Sequence, residues 1–260
     1  MIKNKSPLRF PGGKTRACKI IYNILNKNTD INKFEYILSP FFGGGSFEFY
    51  LHERHNLNII ANDKFEPLYN FWEQSKKYNT RLCEYITNLR PISKENFLEY
   101  RNLIMTVTND LKQASYYFAI NRSSFSGATL SGGFSQKAAD NRFTLSSIER
   151  IKNLNLYKCN FFNLDFEIFI EIFKNENNLI FLDPPYYLKK KLYGVNGDLH
   201  QHFDHTRLYY TIKDLDNWIL CYNDCEYIRQ MYNNYKIISV DWKYGMNKTK
   251  KSSEILILNL

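Results

Sequence analysis

The chain has 260 residues, of which 44% are hydrophobic, and a formal net charge of +9. That length holds one large domain, or a catalytic domain with a smaller second one, and the apolar fraction is enough for a substantial core. No apolar run reaches the ~20 residues needed to span a bilayer, and the basic N-terminus lacks the apolar stretch of a secretion signal, so an intracellular, soluble protein is expected. The positive balance favours a polyanionic partner. Five scattered cysteines, Cys18, Cys83, Cys159, Cys221 and Cys225, exclude a disulfide framework and read as reduced packing residues. Only Cys221 and Cys225 are close, and no second pair or histidine cluster completes a zinc site with them.

The first 65 residues read as a half-unit of alternating helix and strand. Thr15 to Leu25 is an amphipathic helix after a Pro-Gly-Gly loop, and Phe34 to Leu38 is a short strand. The turn Phe41-Phe42-Gly43-Gly44-Gly45-Ser46 leads into a helix over Phe47 to His55, and Leu57 to Ala61 is the next strand. Such a βαβ unit is of the nucleotide-binding kind. The texture then changes. Leu68 to Lys77, Arg81 to Leu89, Lys94 to Thr106 and Asp110 to Ile120 carry helical periodicity with no parallel strand between them. Ser123 to Gln136 is rich in Gly and Ser, which fits either a β-hairpin or a mobile loop. The α/β rhythm returns with a strand over Leu156 to Asn160, a helix over Phe166 to Phe173 and the apolar strand Asn178 to Leu182. After a polar loop come a helix over Thr206 to Asp214, a strand over Trp218 to Tyr222 and a helix over Cys225 to Tyr232. Lys236 to Trp242 and Glu254 to Leu260 are the last strands. The expected fold is α/β. Residues 1–65 and 156–260 form a discontinuous catalytic domain, and residues 66–155 are an inserted, mainly helical module.

Three features carry chemistry. The glycine turn lets a ligand approach the backbone, since glycine has no Cβ and accepts positive φ, and the helix behind it offers unpaired N–H groups. Asp63 ends the next strand, about twenty residues further on, where an acidic side chain grips ribose hydroxyls in nucleoside-cofactor sites. Its other reading is a cap for the helix that follows. Together these indicate an adenosine-containing cofactor without separating NAD from S-adenosylmethionine. Asp183-Pro184-Pro185-Tyr186 separates them. A carboxylate, two prolines and an aromatic cannot continue a strand; they suit a rigid loop at the sheet's ligand-binding edge. The Asp183 carboxylate and the Pro184 carbonyl can each accept one N–H of an exocyclic amino group, turning its lone pair toward a methyl donor. Proline fixes the backbone, and Tyr186 offers a stacking face. A base reaching such a pocket must leave the duplex.

With these motifs in this order, the chain resembles the Dam-like, D12 class of DNA adenine-N6 methyltransferases over nearly its whole length. The segments that carry the likeness are 8–14 (Leu-Arg-Phe-Pro-Gly-Gly-Lys), 40–46 around the glycines, Ala61-Asn62-Asp63, 121–127 (Asn-Arg-Ser-Ser-Phe-Ser-Gly), Asp183 to Tyr186 and 253–257. The resemblance implies a Rossmann-like methyltransferase sheet whose inserted target-recognition domain carries a β-hairpin. It further implies methyl transfer from S-adenosylmethionine to N6 of a flipped adenine in double-stranded DNA, with Asp183, Pro184, Pro185 and Tyr186 catalytic. By the same resemblance, Phe10 and Lys14 contact the cofactor, Lys14 at its carboxylate. Phe41, Gly43, Gly45 and Ser46 line its methionine and ribose end, Asp63 holds the ribose, Asp165 contacts the adenine ring, and Asp183 touches both cofactor and target.

For DNA, Asn121, Arg122, Ser124, Lys137 and Arg142 flank the expected hairpin, Arg9 lies in the first motif, Lys189, Lys190 and Lys191 follow the catalytic motif, and Lys248 lies in a late basic loop. Such cations position a duplex without reading its sequence. His200, His202 and His205 with Asp204 match no standard metal spacing, and no metal is expected; a DNA contact or a lid is the better reading. Two departures from the family pattern stand out. Ser39 replaces an acidic residue before the glycine motif, and the hairpin sequence differs from that of GATC-reading enzymes, so the target site stays open. The rival readings are a catalytically weak DNA-binding homologue, N4-cytosine methylation and an RNA substrate. A restriction-modification role with a separate cognate endonuclease, a regulatory role and any oligomeric state are equally compatible with the sequence.

Overall fold

The computed structural model describes residues 5–10, 12–187, 203–242 and 252–260. One sheet of seven strands organises them: β1 (Tyr36–Ser39), β2 (Asn58–Asn62), β3 (Cys159–Phe162), β4 (Asn178–Leu182), β5 (Trp218–Asn223), β6 (Lys236–Trp242) and β7 (Ser252–Asn259). Their spatial order is β3-β2-β1-β4-β5-β7-β6. The first five run parallel, and β7 pairs antiparallel with both β5 and β6.

The period of two decides which side chains face which layer. Ile37, Leu179, Phe181, Ile219, Cys221, Leu256 and Leu258 join one buried cluster, shared with α1 (Cys18–Asn28) and α2 (Ser46–His55). The alternating residues Leu38, Ile180, Leu182, Trp218, Leu220, Tyr222, Ile255 and Ile257 join the other, against α9 (Phe166–Phe173), α10 (His205–Ile212) and α11 (Glu226–Met231). Strand β4 is buried along its whole length, as its unbroken apolar run requires of a central parallel strand.

Between β2 and β3 lie α3 (Glu66–Lys77), α4 (Asn79–Asn88), α5 (Lys94–Leu103), α6 (Asp110–Ser123), α7 (Gln136–Arg142) and α8 (Leu145–Lys152), and among the described residues this insertion supplies no strand to the sheet. Helix α6 is its axis: every residue from Gln113 to Ser123 is buried. The insertion's Phe97, Phe118 and Ile151 belong to the same cluster as Ile59 and Phe181 of the sheet, so its core is continuous with one face of the sheet. Among the described residues no helix is long and apolar enough to cross a membrane.

The expected β-hairpin over Ser123 to Gln136 takes another form. A single antiparallel bridge joins Ser124 to Phe134, with Phe125 N–H donating to the Gly133 carbonyl at 2.8 Å and Ser135 N–H to Ser123 at 2.9 Å. Within it the chain coils through two 3-10 turns, Phe125–Gly127 and Thr129–Ser131. The cause is local. Ser126, Gly127 and Thr129 have φ of 60°, 74° and 52°, and the Ser124 hydroxyl accepts the Thr129 N–H at 3.0 Å, which folds the loop inward instead of extending it.

Candidate active site

In a parallel sheet, ligand sites form where the strand order reverses, beyond the strands' carboxyl ends. Here that point lies between β1 and β4, and their ends deliver the glycine turn and Asp183. The turn is built by its glycines. Gly43 and Gly45 have φ of 51° and 63°, and a Cβ on Gly45 would lie 2.3 Å from the Phe42 ring. Phe42 itself is packed against Phe49, Trp72 and Phe161 and has nowhere to move. Gly45→Ala is therefore expected to lose more than the ~1 kcal/mol that left-handed strain alone costs at Gly43→Ala, where a Cβ meets open space. Urea unfolding of the two variants side by side measures the difference.

Asp63 ties the end of β2 to this turn. Its Oδ2 accepts the Gly43 N–H at 3.0 Å and its Oδ1 the Phe65 N–H at 3.0 Å. Burial pushes its pKa up to about 6, against the lowering effect of these two bonds. Trp72 donates its indole N–H to the Gly43 carbonyl at 2.9 Å, so the turn is held on both sides. Phe10 lies over Gly44, and Ser46 and Thr15 share a hydroxyl hydrogen bond of 3.0 Å. The structure thus brings together Phe10, Gly43, Gly45, Ser46 and Asp63, with Phe41 facing Phe166 and Phe203 at the rim.

At the centre, the Lys14 ammonium donates to both Asp183 oxygens, at 2.7 and 2.9 Å. Lys14 is 4% exposed and Asp183 26%. The ammonium also lies 5.0 Å from the Tyr186 ring centroid. Lys14, expected to reach a cofactor carboxylate, here spends its charge on Asp183. The Tyr186 hydroxyl donates to Glu254 at 2.6 Å, which fixes the ring after the two prolines. Asp165, expected at an adenine ring, caps α9 by accepting the Glu167 N–H and pairs with Arg207 at 2.9 Å and Lys64 at 3.6 Å. Burial works to raise its pKa, but Arg207, the Glu167 N–H and Lys64 hold it below the ordinary value.

Glu48 and Glu254 escaped the sequence reading. Glu48 is fully enclosed on α2 and accepts the Ser39 hydroxyl at 2.6 Å. The departure at Ser39 therefore leaves a carboxylate at the end of β1 after all, supplied from the next helix. Burial, with the nearby Asp183 charge adding to it, pushes Glu48 up to about 7, against the Ser39 bond. The available signal was an acidic residue between two core phenylalanines, three residues past Gly45. Around buried Cys221 the acting charges are Lys14, Asp183, Glu254 and Glu48, three carboxyl groups to one ammonium.

The DNA candidates divide. Arg9 and Lys137 are exposed and Arg142 is half-buried. Asn121, Arg122 and Ser124, expected at the DNA surface, are instead buried, because their polar atoms serve the backbone. Asn121 accepts from and donates to the two sides of Arg9, and Arg122 donates to the Arg142 and Pro7 carbonyls. Lys189, Lys190, Lys191 and Lys248, with His200 and His202, lie outside the described residues. His205 is buried and bonded to the Tyr222 hydroxyl at 2.7 Å, and Asp204 caps α10. Among the described residues no His, Cys, Asp and Glu cluster could hold a metal ion, and all five cysteines are free thiols.

The family comparison fits this geometry: the D12 class N6 adenine-specific DNA methyltransferase family matches residues 10–246. The chain belongs to that family. No curated protein matches it. Membership in the D12 class makes it an adenine-specific DNA methyltransferase at the level of the family, and the matched span contains the glycine turn, Asp63, the whole helical insertion and Asp183.

Proposed function

We propose that this D12 enzyme takes a methyl group from S-adenosylmethionine and places it on N6 of an adenine flipped out of duplex DNA, in a Rossmann-like catalytic domain whose helical insertion, residues 66–155, recognises the target. The observation that carries the reading is the position of Asp183: at the β4 end, beside the glycine turn, with both oxygens held by Lys14.

The acidity of the site supports the choice of cofactor. A dinucleotide would bring a pyrophosphate to the α2 N-terminus, where Glu48 already stands and where Lys14 is bound to Asp183. Once Glu48 is ionised, above about pH 7, a further anion is repelled there, whereas a ligand carrying an ammonium and a sulfonium is attracted. When bound, S-adenosylmethionine supplies an electrophilic methyl group. Asp63 would hold the ribose hydroxyls, and Phe10, Phe41, Gly43, Gly45 and Ser46 would contact the rest of the ligand. Lys14 fixes the orientation of the Asp183 carboxylate, which accepts one N6–H. The Pro184 carbonyl accepts the other, held in place by the consecutive proline rings. Both bonds strengthen as the nitrogen gains positive charge, so they favour the transition state over the bound base. Tyr186, anchored through Glu254, presents its face to the base.

Incubating the purified protein with isotope-labelled cofactor and mixed-sequence DNA, followed by nucleoside mass spectrometry, tests this. Labelled N6-methyladenine is expected from the wild type and none from Asp183→Ala. Labelled N4-methylcytosine, or label only in RNA, would replace the reading with one of its rivals.

A further inference from the structure

One group of charges has no role in methyl transfer. Arg9, Arg16 and Arg150 are exposed and Arg142 is half-buried. Among the described residues none of the four forms an ion pair with a carboxylate. They come from four places in the chain, and a scaffold of hydrogen bonds gathers at least two of them. Buried Arg122 donates Nε–H to the Arg142 carbonyl at 2.7 Å and a terminal N–H to the Pro7 carbonyl at 3.2 Å. Asn121 accepts the Arg9 N–H at 2.9 Å and donates to the Arg9 carbonyl at 2.7 Å. Gly127, with φ of 74°, backs so closely onto Arg9 that a Cβ would sit 2.8 Å from its carbonyl oxygen. The segment bearing Arg9 is thereby fixed against the end of α7.

Arg16 lies two residues after Lys14 in the same 3-10 turn, and Lys14 is bonded to Asp183. The charges weighing most on Arg9 are those of Arg142, Arg150 and Arg16, and on Arg122 those of Arg9, Arg150 and Arg142. Burial and these like charges lower both guanidinium pKa values, that of Arg122 to about 9, which still leaves Arg122 a cation at neutral pH. Mutually repelling guanidinium groups held by a built scaffold call for a polyanion, and the planar fork of each matches a phosphate.

We propose that Arg9, Arg16, Arg142 and Arg150 form one phosphate-binding face that grips the backbone of duplex DNA beside the Asp183 site. Arg122 and Asn121 are its supports and not its contacts. This rests on the reading of the protein as a DNA methyltransferase. It predicts sequence-independent affinity that falls with salt by about 0.9 in log–log slope for each phosphate neutralised.

The experiment is a fluorescence-anisotropy titration of a short mixed-sequence duplex from about 50 to about 200 mM salt. Arg16→Gln/Arg150→Gln should lose up to about 1.8 from the wild-type slope and Arg150→Gln alone about half of that. Calorimetric binding of S-adenosylmethionine should stay at the wild-type value. Lys174→Gln, at the far end of α9 and paired with Glu171, should keep the wild-type slope. An unchanged slope in the double variant overturns the face while leaving the enzyme reading intact. Absence of any salt-dependent duplex binding by the wild type overturns both. A slope difference seen with single-stranded RNA and not with duplex DNA overturns the assignment of the partner.

Discussion

Asp183→Asn is expected to cut the methylation rate by about 10²–10³ while leaving the fold largely intact, whereas Asp183→Ala loses both activity and stability. The two variants separate two roles of one carboxylate. Toward a bound base, Asp183 must accept an N–H. An asparagine replaces one of the two acceptor oxygens with an NH₂ group, and with its remaining oxygen turned toward Lys14 the exocyclic amine meets a donor. Loss of one preorganised electrostatic contact of this kind is worth about 2.7–4 kcal/mol of barrier. Toward the protein, the carboxylate compensates an ammonium that is 4% exposed. Asparagine still offers that ammonium an oxygen, but alanine offers nothing, and breaking a buried pair by removing one partner costs about 3–5 kcal/mol. Because Asp183 itself is 26% exposed, the lower end of that range is expected. Single-turnover kinetics and urea unfolding on both variants supply the test. Equal stability of the two would mean that Lys14 does not depend on the carboxylate, and full activity of Asp183→Asn would remove Asp183 from the chemistry.

The parts of this site that were legible in the sequence are those whose chemistry is local. Three glycines after a strand dictate a tight turn wherever they occur, and the two prolines of residues 184 and 185 stop β4 where it stops. The alternating core of β4 and β5 likewise follows from residue type alone. What depends on partners distant in the chain was not legible. The last parallel edge strand was expected over Leu156 to Asn160, but pairing Ile59 with Cys159 and Asn62 with Phe162 sets it at Cys159–Phe162, and Leu156 becomes the turn that closes onto it. Helix α8 was missed although Thr144 and Ser147 cap it reciprocally, because it is short and follows a polar stretch. Arg122 looked like a surface cation, since nothing in its neighbours announces that Pro7 and Arg142 converge on it. Asp165 reads as a ligand contact until Arg207, 42 residues away, takes its carboxylate. Glu48 was overlooked because its partner, Ser39, entered only as a residue lacking a charge.

That hidden carboxylate gives the second large effect, a pH-dependent stability specific to Glu48. In the unfolded chain its pKa is near the ordinary 4.5; in the folded protein burial lifts it to about 7. The folded state therefore holds the proton longer than the unfolded one. Below the unfolded value both states are protonated and nothing is lost. Between about 4.5 and about 7 stability falls as pH rises, and above the folded value the whole cost of ionising a buried group is present. At 1.36 kcal/mol per unit this reaches about 3 kcal/mol. Glu48→Gln removes the ionisation but keeps an oxygen for the Ser39 hydroxyl, so the variant should be more stable than the wild type by up to about 3 kcal/mol at pH 8. The advantage should shrink through pH 6 and vanish near pH 4.5. Asp63, raised to about 6, adds its own dependence over a lower window but is common to both proteins and cancels in the comparison. The same substitution should weaken S-adenosylmethionine binding above pH 7, where the wild-type carboxylate is charged, and have little effect below pH 6. Urea unfolding and calorimetric titration across that range read both quantities. A stability difference that stays flat with pH would show that Glu48 does not titrate there. An affinity loss independent of pH would show that the side chain acts on the cofactor by shape and not by charge. Opposite signs for the two effects, stability gained and affinity lost over the same pH window, are what a buried acid kept for binding a cation requires.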